Sequence, residues 1–163
     1  MKDLLEQVER GLQSNLYYLS LFAALTIPDI CAALSSADGE TTGPKYMAWF
    51  DKYVAPRYKG TVNGQICWFY RCSVLHQGSS QHPKSPYKRI IFLEPSGNIL
   101  HNNILNDALN IDVRIFCADI VAGARAWLAE NENTETFQAN YPKFIHRHAN
   151  GIAPYIVGAP VIG

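Results

Sequence analysis

Net charge is missing from this sequence: fourteen Lys and Arg balance fourteen Asp and Glu. Attraction of the whole molecule to a polyanion or an anionic membrane is therefore excluded as an organising principle. The four cysteines, Cys31, Cys67, Cys72 and Cys117, form no C-x-x-C pair, which argues against a zinc site or a dithiol redox centre. In apolar surroundings they act as small hydrophobes in a reduced compartment. There is no Gly-rich phosphate loop, no nucleophile elbow around Ser73, and no carboxylate pairing that marks a metal or glycosidase site. Neither a metal nor a cofactor is expected. The least polar run, residues 16–27, is short for a bilayer and is interrupted by Ser20 and Thr26, so no membrane partner is expected. The opening MKDLLEQVER is charged and amphipathic rather than leader-like, which points to the cytoplasm. Internal repeats and low-complexity segments are absent as well.

What is present suits one well-cored domain over residues 1–163: nearly half the residues (48%) are apolar, ample for a chain of this length. The charge, balanced overall, is unevenly placed. Residues 1–40 sum to −4, residues 41–93 to +7 and residues 94–163 to −3. The positive middle holds Lys45, Lys52, Arg57, Lys59, Arg71, Lys84, Lys88 and Arg89 against Asp51 alone, and an anionic ligand beside it is the expectation.

Periodicity predicts a mainly α chain. Apolar residues at helical spacing predict a first helix over 2–25. Thr26-Ile27-Pro28-Asp29 reads as the start of a short second helix to about Ser35. Thr42-Gly43-Pro44 opens a third, with Tyr46, Trp49, Phe50 and Tyr53 as a core-facing stripe and Pro56 at its end. Asn63 caps a fourth, which ends at Gln77-Gly78. A polar loop, 78–87, follows. Residues 88–101 change period and read as a β-hairpin turning at Ser-Gly-Asn. The Asn/Asp-rich stretch 101–110 suits local turns and caps. A long helix over 112–130 and a shorter one from Asn133 to about His146, disturbed at Pro142, complete the set. The tail, 149–163, has no charged residue but contains Ile152, Tyr155, Ile156, Val157, Val161 and Ile162, so it should bury against the domain or a partner subunit.

The fourth helix organises the rest. Residues 66–78 are apolar almost throughout, yet they carry Arg71 and His76. Arginine keeps its charge at any physiological pH, whereas histidine exchanges a proton near neutrality. On a helix, five positions separate them by about 7.5 Å along the axis and about 140° around it, too wide for a shared face, although both can line one cleft. An arginine holds a phosphodiester and stabilises charge developing on it; a histidine takes a proton from a 2′-hydroxyl or gives one to a leaving oxygen. Together they suffice for metal-independent cleavage of RNA. The loop leaving the His76 end carries His82 and Lys84 and leads to Lys88 and Arg89, which are the candidate phosphate-binding side chains.

The stretch Tyr-Arg-Cys-Ser-Val-Leu-His-Gln-Gly resembles the signature of the HEPN superfamily, an Arg followed after four to six residues by a His. The resemblance implies a four- or five-helix bundle, here with a β-hairpin inserted after the motif helix. It also implies a metal-independent endoribonuclease of a defence, toxin–antitoxin or stress-response system, with the motifs of two subunits facing each other. Arg71 and His76 are the residues that carry over; RNA, a second copy of the chain and a possible regulatory protein are the implied partners. Cys72 stands where many members have Asn or Asp. Gly78 stands where toxins paired with a nucleotidyltransferase carry Tyr, which argues against that kind of partner. Two other readings accompany this one: a catalytically silent HEPN module binding RNA, a nucleotide or a protein, and a helical assembly domain in which the motif is a coincidence.

Overall fold

The apolar repeat of residues 4–23 does not run as one helix. In the computed structural model, which describes residues 1–97 and 100–163, it divides into α1 (Lys2–Gln13) and α2 (Tyr17–Leu34). Asn15 takes a left-handed φ of 58°, and the Leu16 amide reaches back to the Gly11 carbonyl at 2.8 Å, closing α1 with the turn chemistry that an Asn in this conformation permits. The break lets α2 fold back on α1. The Ser20 hydroxyl donates to the Val8 carbonyl at 3.3 Å, and a Cβ on Gly11 would collide with that same hydroxyl.

The expected break at Pro28 is also displaced. Pro28 lies inside α2, where a proline ordinarily costs about 3 kcal/mol. Packing overrides that local cost, because Ala24, Leu25, Ile27 and Cys31 are all fully buried and α2 lies against α1, α3, α4 and α5. The Thr26 hydroxyl, one turn from the proline, donates to the Ala23 carbonyl at 2.8 Å. Extended in this way, α2 has the length and mean hydropathy (1.5) of a membrane-crossing helix, more than the 16–27 run suggests, yet its apolar centre forms the core of this domain.

Elsewhere the local signals hold. Thr42 caps α3 (Gly43–Tyr53) by accepting from the Lys45 amide, and Tyr46, Trp49 and Phe50 are buried. A 3-10 turn, Ala55–Tyr58, leads to α4 (Gly64–Gln77). Asn63 accepts from the Ile66 amide at 2.9 Å. At the far end Gly78, with φ of 62°, donates to Val74, and the Ser79 amide reaches the Ser73 carbonyl, a Schellman-type stop. α5 (Val113–Asn131) starts at Asp112, whose carboxylate accepts from the Arg114 and Ile115 amides. α6 (Glu135–Asn140) is short and passes into a 3-10 turn at Pro142.

The β-hairpin expected over 88–101 is corrected. Residues 98 and 99 lie outside the described residues, but the first strand, β1 (Arg89–Leu93), pairs in parallel with β3 (Ala108–Asp112). The hairpin is formed by β2 (Asn103–Leu105) and β3, turning through Asn106 and Asp107 at φ of 50° and 62°. Both central residues at positive φ make the two-residue turn that matches strand twist, so the Asn/Asp-rich stretch does supply turns, as expected. Its position in the middle of the sheet order β1-β3-β2 explains why β3 is buried at every residue.

Of the two sites expected to cover the tail, the domain is corrected. The tail does not bury there: it forms two two-stranded ladders, β4 (Arg147–His148) with β7 (Val161–Ile162) and β5 (Gly151–Ile152) with β6 (Ile156–Val157). Tyr155 is 84% exposed and Ile156, Val157 and Ile162 are exposed too. With six α-helices among the described residues, the fold is mainly α with small sheets.

The closest helix contact positions the motif helix. At Gly64 an added Cβ would stand 2.6 Å from Met47 Cα in α3, inside backbone that has no flexible end to move. Gly64→Ala should therefore push α4 off α3 and lower stability by about 1–3 kcal/mol. Urea unfolding reads this directly; an unchanged midpoint would show that the two helices do not meet at Gly64.

Candidate functional site

α4 presents Arg71 toward α2, and its side chain is stretched between two partners. Arg71 Nε donates to Asp29 Oδ2 of α2 at 2.8 Å, and Arg71 Nη1 meets His76 Nε2 at 2.9 Å. The guanidinium carbon lies 5.2 Å from the Trp68 ring centre, and Trp68 is edge-on to the buried Tyr46. Three elements thus fix one cation: an aromatic face below, a carboxylate on one side and an imidazole on the other. The five-residue spacing separates Arg71 and His76 around the helix as expected. The arginine side chain is long enough to close that separation, which the helical angle alone does not reveal.

The protonation pattern follows from donor chemistry. A guanidinium has only donors, so His76 Nε2 must accept and the ring proton sits on Nδ1. Nε2 is thus a free base held against a cation. Two of the five guanidinium N–H groups are engaged by Asp29 and His76, and among the described residues the others have no side-chain partner. His76 is exposed; Arg71 keeps 19% of its side chain open and Asp29 10%.

Asp29 is the residue that sequence reasoning missed. It is the lone acid of the apolar stretch 17–34, the same kind of oddity as Arg71 in α4, and that is the signal which points to it. Thr41 donates to its second oxygen at 3.3 Å. Burial raises the Asp29 pKa above the usual carboxylate value, and the Arg71 charge and hydrogen bond oppose the rise without cancelling it.

The sign of that shift gives a pH dependence. The fold holds the Asp29 proton more tightly than the unfolded chain does, so ionising Asp29 costs stability. The loss begins near the ordinary carboxylate value of about 3.9 and is complete above the raised folded value. Asp29→Asn stays in the uncharged form throughout. Its stability relative to wild type should therefore rise as pH increases through this window, in urea melts taken between pH 3 and 7. A flat or falling difference would remove Asp29 as a strained carboxylate.

The other expected site residues separate. His82 stacks face to face on Phe69, 4.4 Å between ring centres, and its Nδ1 accepts from the Lys84 amide; it shapes the 78–87 loop. Lys88 pairs with Asp107 of the β2–β3 turn at 2.8 Å, so its charge is locally answered. Lys84 is exposed and has no acidic partner among the described residues. Arg89 is exposed and lines a cavity of about 480 Å³ between α2, the end of α4 and β1. The four do not converge on one phosphate; Arg89 alone shares a cavity with residues of α2 and α4.

Cys67 and Cys117 stay outside this chemistry. Burial pushes the Cys67 and Cys117 thiols up to about 12, far from the thiolate a nucleophile needs. Among the described residues no group of three or more His, Cys, Asp and Glu side chains is placed to hold a metal ion. No protein-family model, no curated protein and no solved structure matches this chain.

Proposed function

We propose that this chain is a metal-independent endoribonuclease of HEPN type, acting in the cytoplasm as a homodimer in a defence, toxin–antitoxin or stress-response setting. The observation that carries the reading is the 2.9 Å contact between Arg71 Nη1 and His76 Nε2 at a partly open position. It brings a fixed cation and an unprotonated base within reach of one phosphodiester. An RNA phosphate takes the free N–H groups of Arg71, and His76 Nε2 turns to the adjacent 2′-hydroxyl. The base accepts that proton, the 2′-oxygen bonds to phosphorus, and the bond from phosphorus to the 5′-oxygen breaks. The departing oxygen leaves protonated, with an imidazolium as the donor, and a 2′,3′-cyclic phosphate remains. Arg71 stabilises the extra negative charge on phosphorus in between.

Incubation of the purified protein with mixed RNA in excess chelator tests the reaction. Cyclic phosphate ends, read by mass spectrometry, are the expected product; intact RNA or free 3′-hydroxyl ends would overturn the proposal. A second reading, an RNA-binding module without cleavage, draws support from the Asp29–Arg71 pair, which already occupies part of the cation. Its signature in the same experiment is RNA retained by the protein with no new ends.

A further inference from the structure

The cavity beside Arg89 lies along the same contact of α2 with α4 that carries the Asp29–Arg71 pair. On α4, Arg71, Val74 and Gly78 follow one another at three and four residues and share a face. On α2, Tyr18, Phe22 and Asp29 share a face in the same way. Asp29 meets Arg71 at one end of this helix contact, while Tyr18, Phe22, Val74 and Gly78 line the cavity at the other. The two ends lie about 10 Å apart along the helices, the rise of seven residues. At about 480 Å³ the cavity falls in the size range that takes small organic ligands.

Its chemistry is selective. Tyr18 is 75% exposed and stands edge to face with Phe22, 6.2 Å between ring centres, offering an open ring on which a base can stack. Arg89, the first residue of β1, and Glu94, which follows its last, both line the cavity, and among the described residues neither makes a side-chain hydrogen bond or ion pair. The loop wall beside them is fixed, because the Ile90 amide donates to the Ser80 carbonyl at 3.1 Å. Two opposite charges with no protein partner, beside an exposed aromatic ring, match a ligand that is itself an anion, a π-face and a pair of donors.

We propose that this cavity is a base-recognition subsite for a guanine in single-stranded RNA, with the base on Tyr18, its Watson–Crick edge on Glu94 and a neighbouring phosphate on Arg89. An ionised carboxylate only accepts hydrogen bonds. Guanine alone presents two adjacent donors, N1–H and the N2 amino group, that match its two oxygens. Adenine and cytosine place a ring-nitrogen acceptor beside their amino group, and uracil flanks its one donor with two carbonyls, so each sets an acceptor against Glu94. Such an edge is open to a protein only when the strand is unpaired. A short strand then runs along this helix contact, with the recognised guanine at one end and the scissile phosphate at the other. This inference rests on the ribonuclease reading for the identity of the ligand, but binding tests it separately from cleavage.

The test uses fluorescence anisotropy with 2′-O-methyl uridine hexamers, which lack the attacking hydroxyl, carrying one central guanine, inosine, adenine or cytosine. The guanine oligomer should bind the wild-type protein about 5- to 150-fold more tightly than the adenine one, the discrimination a bidentate pair supplies. Inosine, which lacks the N2 amino group, should fall between them. Glu94→Gln should erase the preference, and Tyr18→Ala should weaken every oligomer by a similar 5- to 150-fold, the stacking contribution of one base. Both side chains are exposed, and the inosine comparison needs no variant at all. Arg71→Ala should weaken all four oligomers alike and keep the preference. Equal binding of guanine and adenine, a preference that survives Glu94→Gln, or no binding to any oligomer would overturn the subsite. Preserved guanine preference without cleavage of natural RNA would instead remove the ribonuclease reading and leave the subsite standing.

Discussion

His76→Ala should lower the rate of RNA cleavage by about a hundred- to ten-thousand-fold, the contribution of one positioned acid–base group, and Arg71→Ala should lower it by a comparable factor through loss of phosphate charge stabilisation. On the proposed mechanism the two would act on one phosphodiester as a unit, so the double variant should be little slower than the slower single one. Stability separates chemistry from folding. His76 is exposed, and its truncation should leave the unfolding midpoint within about 0.5 kcal/mol of wild type. Arg71→Ala also strands Asp29, a buried carboxylate that loses its 2.8 Å partner, and should unfold earlier. Arg71→Lys is the better probe, because it keeps a positive charge near Asp29 yet cannot hold both Asp29 and a phosphate in a planar fork. It should remain folded and still cleave poorly. Single-turnover rates at saturating protein read the effect; equal rates for wild type, His76→Ala and Arg71→Lys would take both side chains out of the mechanism.

Local signals were legible because local chemistry decides them. Thr42, Asn63 and Asp112 cap the helices they precede, and Gly78 stops α4 in the left-handed conformation it alone adopts without strain. The failures share a cause of the opposite kind. Pro28 carries a strong local signal for a helix start, and the burial of Ala24, Leu25 and Ile27 carries α2 through it. The parallel pairing of β1 with β3 joins strands far apart in sequence, where no turn motif marks the partner, so the Ser-Gly-Asn turn signal drew attention to the wrong strand.

The site follows the same division. Arg71 and His76 stand out as polar residues in an apolar helix, and so does Asp29 in α2, but their meeting depends on the packing of α2 against α4 and on the reach of one side chain. The phosphate-binding group was drawn from a run of basic residues in one loop. Folding set the exposed Arg89 beside the cavity, gave Lys88 to Asp107 and stacked His82 on Phe69, and charge counting cannot anticipate that dispersal.

Assembly carries the second large expected effect. One subunit holds one Arg71 and one His76, already in contact at 2.9 Å, whereas in-line cleavage needs a base for the 2′-hydroxyl and an acid for the departing oxygen. A two-fold axis near α4 would supply both by placing a second His76 opposite the first, and two-fold dimers are the commonest soluble assemblies. The exposed tail offers the apolar surface for such a contact: Tyr155, Ile156, Val157 and Ile162 face outward in a stretch, 149–163, without a single charge. Two-residue ladders of this kind have little stability of their own in water, and burial against a second subunit would secure them. Dilution should therefore abolish cleavage as dimers dissociate, and Tyr155→Asp with Val157→Asp should yield folded, inactive monomers in sedimentation. Mixing inactive Arg71→Ala and His76→Ala chains under conditions of exchange then asks which chain serves which phosphate. Recovery of cleavage shows a site built from both subunits. A monomer that cleaves at full rate would instead assign the whole reaction to the Arg71–His76 contact within one chain.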